Sequence, residues 1–139
     1  MDEASRNRGV VVPTEEVPWA PLSEGVQMKV LYIGDENPTW TVMIQLEPGE
    51  RLPAHVHHAA SEFLIIEGSG HHPSVGDFKQ GDYVYEYAGA YHPPSQYHEP
   101  TKLLMVSYGA CSMLDAEGNV DYVLDAALLR RQAAAAAQG

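Results

Sequence analysis

The sequence predicts an all-β domain, a sandwich or closed barrel of many short strands with one short helix at its C-terminal end. Three observations carry this. Runs of β-branched and aromatic residues recur at short intervals, clusters of Gly, Pro, Asn and Asp separate most of them, and helix-forming composition is confined to DAALLRRQAAAAAQ near the end. Val26–Ile33 and Trp40–Leu46 read as strands joined by the GDENP turn and closed by EPGE. Leu52–His57, Glu62–Glu67, Tyr83–Tyr87 and Lys102–Tyr108 continue the series. From Asp121 to Gln138 strong helix formers take over, so a short helix is expected that frays through the alanine run. Residues 1–9 are polar and uncapped and are expected to be disordered, 10–120 to form a single barrel domain, and 121–139 to carry the helix and its alanine-rich tail.

A chain of 139 residues is long enough to bury a core of its own. Acidic residues outnumber basic ones 19 to 8, a formal charge of −11 with no basic stripe, which argues against nucleic acid and against anionic membrane surfaces as partners. No apolar run approaches the roughly 18 residues of a membrane span, and MDEASRNRG lacks the apolar centre of a secretion signal. The single cysteine, Cys111, allows no intramolecular disulfide and fits a cytoplasmic protein. The proline-broken apolar segment Val10–Leu22 (VVVPTEEVPWAPL) is too irregular for a central strand and too apolar to be left in water, so a homodimer or larger homo-oligomer is expected to cover it.

The chemistry concentrates in Gly49–Gly68, GERLPAHVHHAASEFLIIEG. A strand sends side chains i and i+2 to one face, so His55 and His57 can reach the same metal ion. A short turn at His58–Ser61 would fold Glu62 back beside them, and Gly81–His92, GDYVYEYAGAYH, supplies His92 after another strand and a glycine-bearing turn. The candidate ligands are therefore His55, His57, His92 and Glu62. If Glu62 faces inward so do Leu64 and Ile66, while in Tyr83–Tyr87 the same alternation sets Val84 and Glu86 against three tyrosines, with Glu86 expected inward. His58, His71, His72 and His98 lie in turns or loops and are expected at the surface or beside the ligands rather than among them.

The layout Gly-x5-His-x-His-x4-Glu-x5-Gly, followed by Gly-x7-Gly-x2-His, resembles the two motifs of the cupin superfamily, with Tyr87 where the second motif usually carries proline and Gln96 where asparagine often lies. The resemblance implies a cupin-type jelly-roll barrel. From about Trp40 to Gly118 the chain looks more narrowly like the small single-domain cupins that include acetylacetone-cleaving dioxygenase and 2,4'-dihydroxyacetophenone dioxygenase. The features shared are the Thr39–Thr41 strand opening, PGERLPAHVH, the Glu-Phe-Leu segment running to Gly68, Glu86 six residues before His92, and YGACSMLDAEGN. In those relatives three histidines hold iron. Carried across, this implicates His55, His57 and His92 as ligands, with Glu62 and Glu86 as catalytic or supporting carboxylates.

Neutral imidazoles with at most one carboxylate suit Fe(II), Zn(II), Mn(II), Ni(II), Co(II) or Cu(II) and not a calcium-type oxygen cage. The resemblance implies a non-haem Fe(II) dioxygenase cleaving a carbon–carbon bond of a β-diketone or α-hydroxyketone, its partners being that carbonyl or enolate substrate and O2. The rival expectation is a non-catalytic, zinc-binding sensory or regulatory cupin with Glu62 as fourth ligand and a closed site. A metal-free sugar isomerase fits poorly, because it would need no HxH paired with a second histidine motif.

Overall fold

The structure is a computed structural model that describes residues 8–34 and 38–138; the segment 1–7 and the centre of the GDENP turn, both subjects of the expectations above, lie outside the described residues. After a 3-10 turn at Thr14–Glu16 come β1 (Ala20–Ser23), β2 (Val26–Ile33), β3 (Trp40–Leu46), β4 (His55–His57), β5 (Ser61–Glu67), β6 (Ser69–His72) and β7 (Gly76–Lys79). They continue as β8 (Tyr83–Glu86), β9 (Tyr91–His92), β10 (Gln96–Tyr97), β11 (Thr101–Ser107), β12 (Cys111–Leu114), β13 (Val120–Leu124) and the helix α1 (Ala126–Gln138). The strands form a six-stranded sheet in the order β1-β2-β3-β11-β5-β8, a four-stranded sheet β13-β12-β4-β9 and a three-stranded sheet β10-β6-β7. Neighbours β3, β11 and β5 are distant in sequence, as in a jelly roll.

Period-two alternation builds the interior. Along β3, Trp40, Val42, Ile44 and Leu46 point inward, and along β11 Thr101, Leu103, Met105 and Ser107 do the same. Directly opposite residues share a face, so Val42, Met105, Phe63 and Val84 form one apolar rung across four strands. All three sheets feed the same core, the smaller two through Phe78, Tyr97, Cys111, Met113 and Leu124.

Three expectations need correction. β5 faces the other way: Ser61, Phe63 and Ile65 are buried, while Glu62, Leu64 and Ile66 lie on the outer side. The driver is bulk, since Phe63 and Ile65 fill the core between β11 and β8 where Glu62 would have placed a charge. The boundary at residue 120 is also too early, because Val120–Leu124 pairs with β12 and the helix starts only at Ala126. Asp125 caps it, its carboxylate accepting the Leu128 N–H at 2.9 Å. Finally, the stretch around His71 and His72, placed above in turns or loops, contains β6 and leads into β7.

The Val10–Leu22 segment partly wraps its own barrel. Ala20–Ser23 pairs with β2 as an edge strand, where Pro21 is tolerated, and the Lys29 ammonium sits 4.8 Å from the Trp19 ring centre. Val10 and Val11 remain exposed. At the other end, Leu129 is fully buried and is the residue by which α1 grips the core. Leu129→Ala is expected to cost about 2–5 kcal/mol, read as a lower denaturant midpoint with an unchanged slope.

Candidate metal centre

Four of the five residues singled out in the sequence meet inside the barrel. His55 and His57 sit two apart on β4, and His55 lies directly opposite His92 on β9. Between β8 and β9 the chain turns at Tyr87–Ala90, closed by Ala90 N–H donating to Tyr87 O at 3.1 Å, with Gly89 supplying the positive φ of +81°. The same turn is tied to β4: His57 N–H donates to Ala90 O at 3.0 Å and Gly89 N–H to His57 O at 2.8 Å. Thus the backbone that carries Glu86 and His92 is registered against the backbone of His57. Ring centres of His55 are 4.9 Å from His57 and 4.5 Å from His92.

Hydrogen bonding assigns the free nitrogens. His55 Nδ1 lies 2.9 Å from Pro53 O and His92 Nδ1 2.7 Å from Pro93 O. A carbonyl only accepts, so each Nδ1 carries the proton and each Nε2 keeps its lone pair, the tautomer a metal needs. His57 Nδ1 meets Cys111 Sγ at 3.3 Å, leaving Nε2 toward the centre.

Glu86, buried on β8, is the carboxylate of the site. Its Oε2 is 2.8 Å from His57 Nε2 and its Oε1 is 3.4 Å from His92 Nε2. Burial disfavours its charge, but contacts with His57 and His72 outweigh this and hold its pKa well below the usual carboxylate range. His55 is pushed down to about 3, chiefly by burial and then by the His92 charge, and His92 is also lowered by burial. Burial lowers His57 as well, yet contact with Cys111 and Glu86 prevails and raises it to about 9.

His72, assigned by its sequence setting to surface or support, is buried here, its Nε2 3.7 Å from Glu86 Oε1 and its ring 4.0 Å from that of His92. The available sequence signal was the alternation through Gly70 and His72 on β6, both inward. His72, Glu86 and His92 form a compact group whose ligating atoms lie within 4.8 Å of one another. The His72 Nδ1, however, accepts the Ser74 N–H at 3.1 Å, so in the neutral ring Nε2 bears the proton and faces the carboxylate from beyond hydrogen-bond distance. We therefore favour His55, His57 and His92 as metal-holding nitrogens, with His72 beside Glu86. The donor set fits a dipositive ion: the Nε2 lone pairs of His55 and His92 and the Nε2 of His57 gather at the buried Glu86 carboxylate, whose Oε1 has no hydrogen-bond partner among the described residues.

Glu62 is not in this group. It lies on the outer face of β5, accepting hydrogen bonds from the hydroxyls of Tyr83 and Tyr108, which lower its pKa and raise theirs, that of Tyr83 to about 12. The inward position is taken by Ser61, buried and directly opposite Glu86. His58 and His98 are exposed and His71 is half-buried, with His58 bonded to Ser112 and His71 to Asp77.

A jelly-roll barrel with an HxH strand and a third histidine converging on its axis is a cupin with a metal-binding interior. The chain belongs to the ChrR cupin-like domain family, whose model matches residues 7–112. Its fold is shared by an acetylacetone dioxygenase from Acinetobacter johnsonii, with a TM-score of 0.84 at 18% identity over 98% of this chain and 99% of that one. An RmlC-like cupin from Ralstonia eutropha JMP134 has a TM-score of 0.85 at 20% identity over 97% and 91%. The crystal structure of Rhodobacter sphaeroides SigE in complex with the anti-sigma ChrR contains a similar domain, with a TM-score of 0.59 at 22% identity over 67% of this chain and 49% of that one. No curated protein matches the sequence.

Proposed function

We propose that this chain is a non-haem metal-dependent dioxygenase, using Fe(II) held by His55, His57 and His92, that cleaves a carbon–carbon bond of a β-diketone or α-hydroxyketone. The observation that carries this reading is the placement of Glu62 outside the barrel, which removes the expected anionic fourth ligand and leaves imidazoles with one buried carboxylate beside them. A dipositive ion beside the single Glu86 carboxylate keeps a net positive charge, which favours an anionic chelating substrate such as an enolate. Fe(II), when bound, supplies redox access to O2; Zn(II), Mn(II), Ni(II), Co(II) and Cu(II) suit the same donors but differ in that chemistry.

The protein's own residues handle the proton. Glu86 is ionised at neutral pH and its Oε1 has no hydrogen-bond partner, so it can accept a proton from a carbon acid. His72 lies beside the same oxygen at 3.7 Å, and all of these groups are buried.

A second reading, a non-catalytic zinc-binding regulatory module, is favoured by the family match, since the family is named for ChrR, an anti-sigma protein in the SigE complex. Metal content after native purification, followed by oxygen uptake on a panel of diketones, separates the two. The iron-reconstituted protein is expected to consume oxygen and the zinc-reconstituted protein not to, because zinc holds the same ligands without passing electrons. Equal uptake by both forms would sink the oxidative reading. We further propose a homodimer or larger homo-oligomer that covers the exposed Val10 and Val11; light scattering at micromolar concentration is expected to give at least twice the monomer mass, and the monomer mass would contradict it.

A further inference from the structure

We infer that the inward rung Glu86–Ser61–Ser107–Trp40 is a ligand-binding strip, and that it takes a small diketone carrying a third oxygen remote from its chelating pair. This rests on the diketone reading of the metal centre and adds to it the part of the substrate that the centre does not hold.

The rung is read from strand register. Ser61 on β5 lies opposite Glu86 on β8, Ser107 on β11 lies opposite Ser61, and Trp40 on β3 lies opposite Ser107. Directly opposite residues present their side chains to the same face, and all four are buried: Glu86 5%, Ser61 0%, Ser107 1% and Trp40 1% exposed. The rungs deeper in this sheet are made of Val84, Phe63, Met105 and Val42, then of Ile65, Leu103 and Ile44. On the inward face of these four strands, apart from Thr101 at the far end of β11, the polar side chains stand on the rung that carries Glu86.

Three of its four side chains end in polar atoms without a hydrogen-bond partner among the described residues: Glu86 Oε1, Ser61 Oγ and Trp40 Nε1. Ser107 Oγ is the exception, donating to Gly109 O at 2.8 Å. Buried polar groups are ordinarily paired, and a row of three that are not, in register across adjacent strands, is a set of hydrogen-bonding positions kept for something else. The row also has chemical direction. Glu86 only accepts, Ser61 donates or accepts, and Trp40 only donates. A complementary ligand gives up a proton at the Glu86 end, has a chelating oxygen within reach of the Ser61 hydroxyl, and ends in an acceptor at Trp40. Strands lie about 4.8 Å apart, so Ser61 and Trp40, with β11 between their strands, are separated by about 10 Å between backbones. A small carbonyl compound with one further oxygen, lying across Ser107, spans that distance.

The test uses the full chain loaded with Fe(II) under anaerobic conditions and follows the visible absorption of the chelate as either acetylacetone or heptane-2,4,6-trione is added. Metal content is measured in every variant. Ser61→Ala is expected to keep its metal and to bind both compounds about 3- to 10-fold more weakly, the size of one hydrogen bond. Trp40→Phe is expected to keep its metal and to lose, by a similar factor, the parent's preference for the tri-oxygenated compound over acetylacetone. Equal affinities in parent and both variants, or a Trp40→Phe preference as large as the parent's, would overturn the strip and leave the dioxygenase standing. A parent that binds neither compound while holding its metal overturns both.

Discussion

Replacing His55, His57 or His92 by alanine is expected to empty the centre while leaving the barrel folded. On the proposed assignment each imidazole would supply one of three nitrogen bonds, and two would be too few to offset dehydration of a divalent ion at a site whose buried carboxylate faces His57 and His72. Affinity is expected to fall by more than the roughly 100-fold that accompanies loss of an outer partner. The fold persists because its free energy lies in rungs such as Val42–Met105–Phe63–Val84, which the histidines do not join. Elemental analysis gives the metal per chain and a circular-dichroism melt gives the fold. Full occupancy in any one variant strikes that residue from the ligand set, and His72→Ala, which should retain its metal, is the internal contrast.

Glu86→Gln is expected to lower turnover by about 10²–10⁴-fold with the metal retained, because glutamine keeps the shape and the contacts but cannot accept a proton. The zinc-binding alternative makes the opposite demand. There Glu86 is the one buried carboxylate available as a fourth ligand, so its neutralisation should release the ion. Glu62→Gln should change neither quantity, since that side chain is bonded to Tyr83 and Tyr108 on the outer face. Loss of metal in Glu86→Gln from an inactive parent would favour the regulatory module; impaired turnover in Glu62→Gln would mean that the outer face communicates with the site.

Much of this was legible in the chain. β2 and β3 coincide with the two predicted strands because their alternation is unbroken and their ends carry turn residues. His55, His57, Glu86 and His92 follow from the two motifs. What escaped prediction depends on pairing across long sequence separations. β9 and β10 are two residues each and exist only because β4 and β6 receive them, and β13 needs β12 to outcompete the helix-forming sequence beside it. The face of β5 was misjudged because the motif was followed to the nearest acid, whereas the core chose Phe63 and Ile65. The burial of His72 is not legible because Ser69–Gln80 contains Gly, Pro and Ser and reads as loop until β6 is seen paired on both sides.

The orientation of β5 imposes a parity rule on the centre. Inward positions on this strand are odd-numbered, 61, 63 and 65, and the acid sits at 62. On the proposed reading, an acid on the odd side would face the ion as an anion and close its coordination sphere, whereas an acid on the even side is spent on the surface and would leave the sphere open. A single residue of offset after His57 would then separate a centre that stores a metal from one that can admit a substrate. Exchanging the two neighbours, with glutamate at 61 and serine at 62, is the smallest edit that would move the protein from one kind to the other.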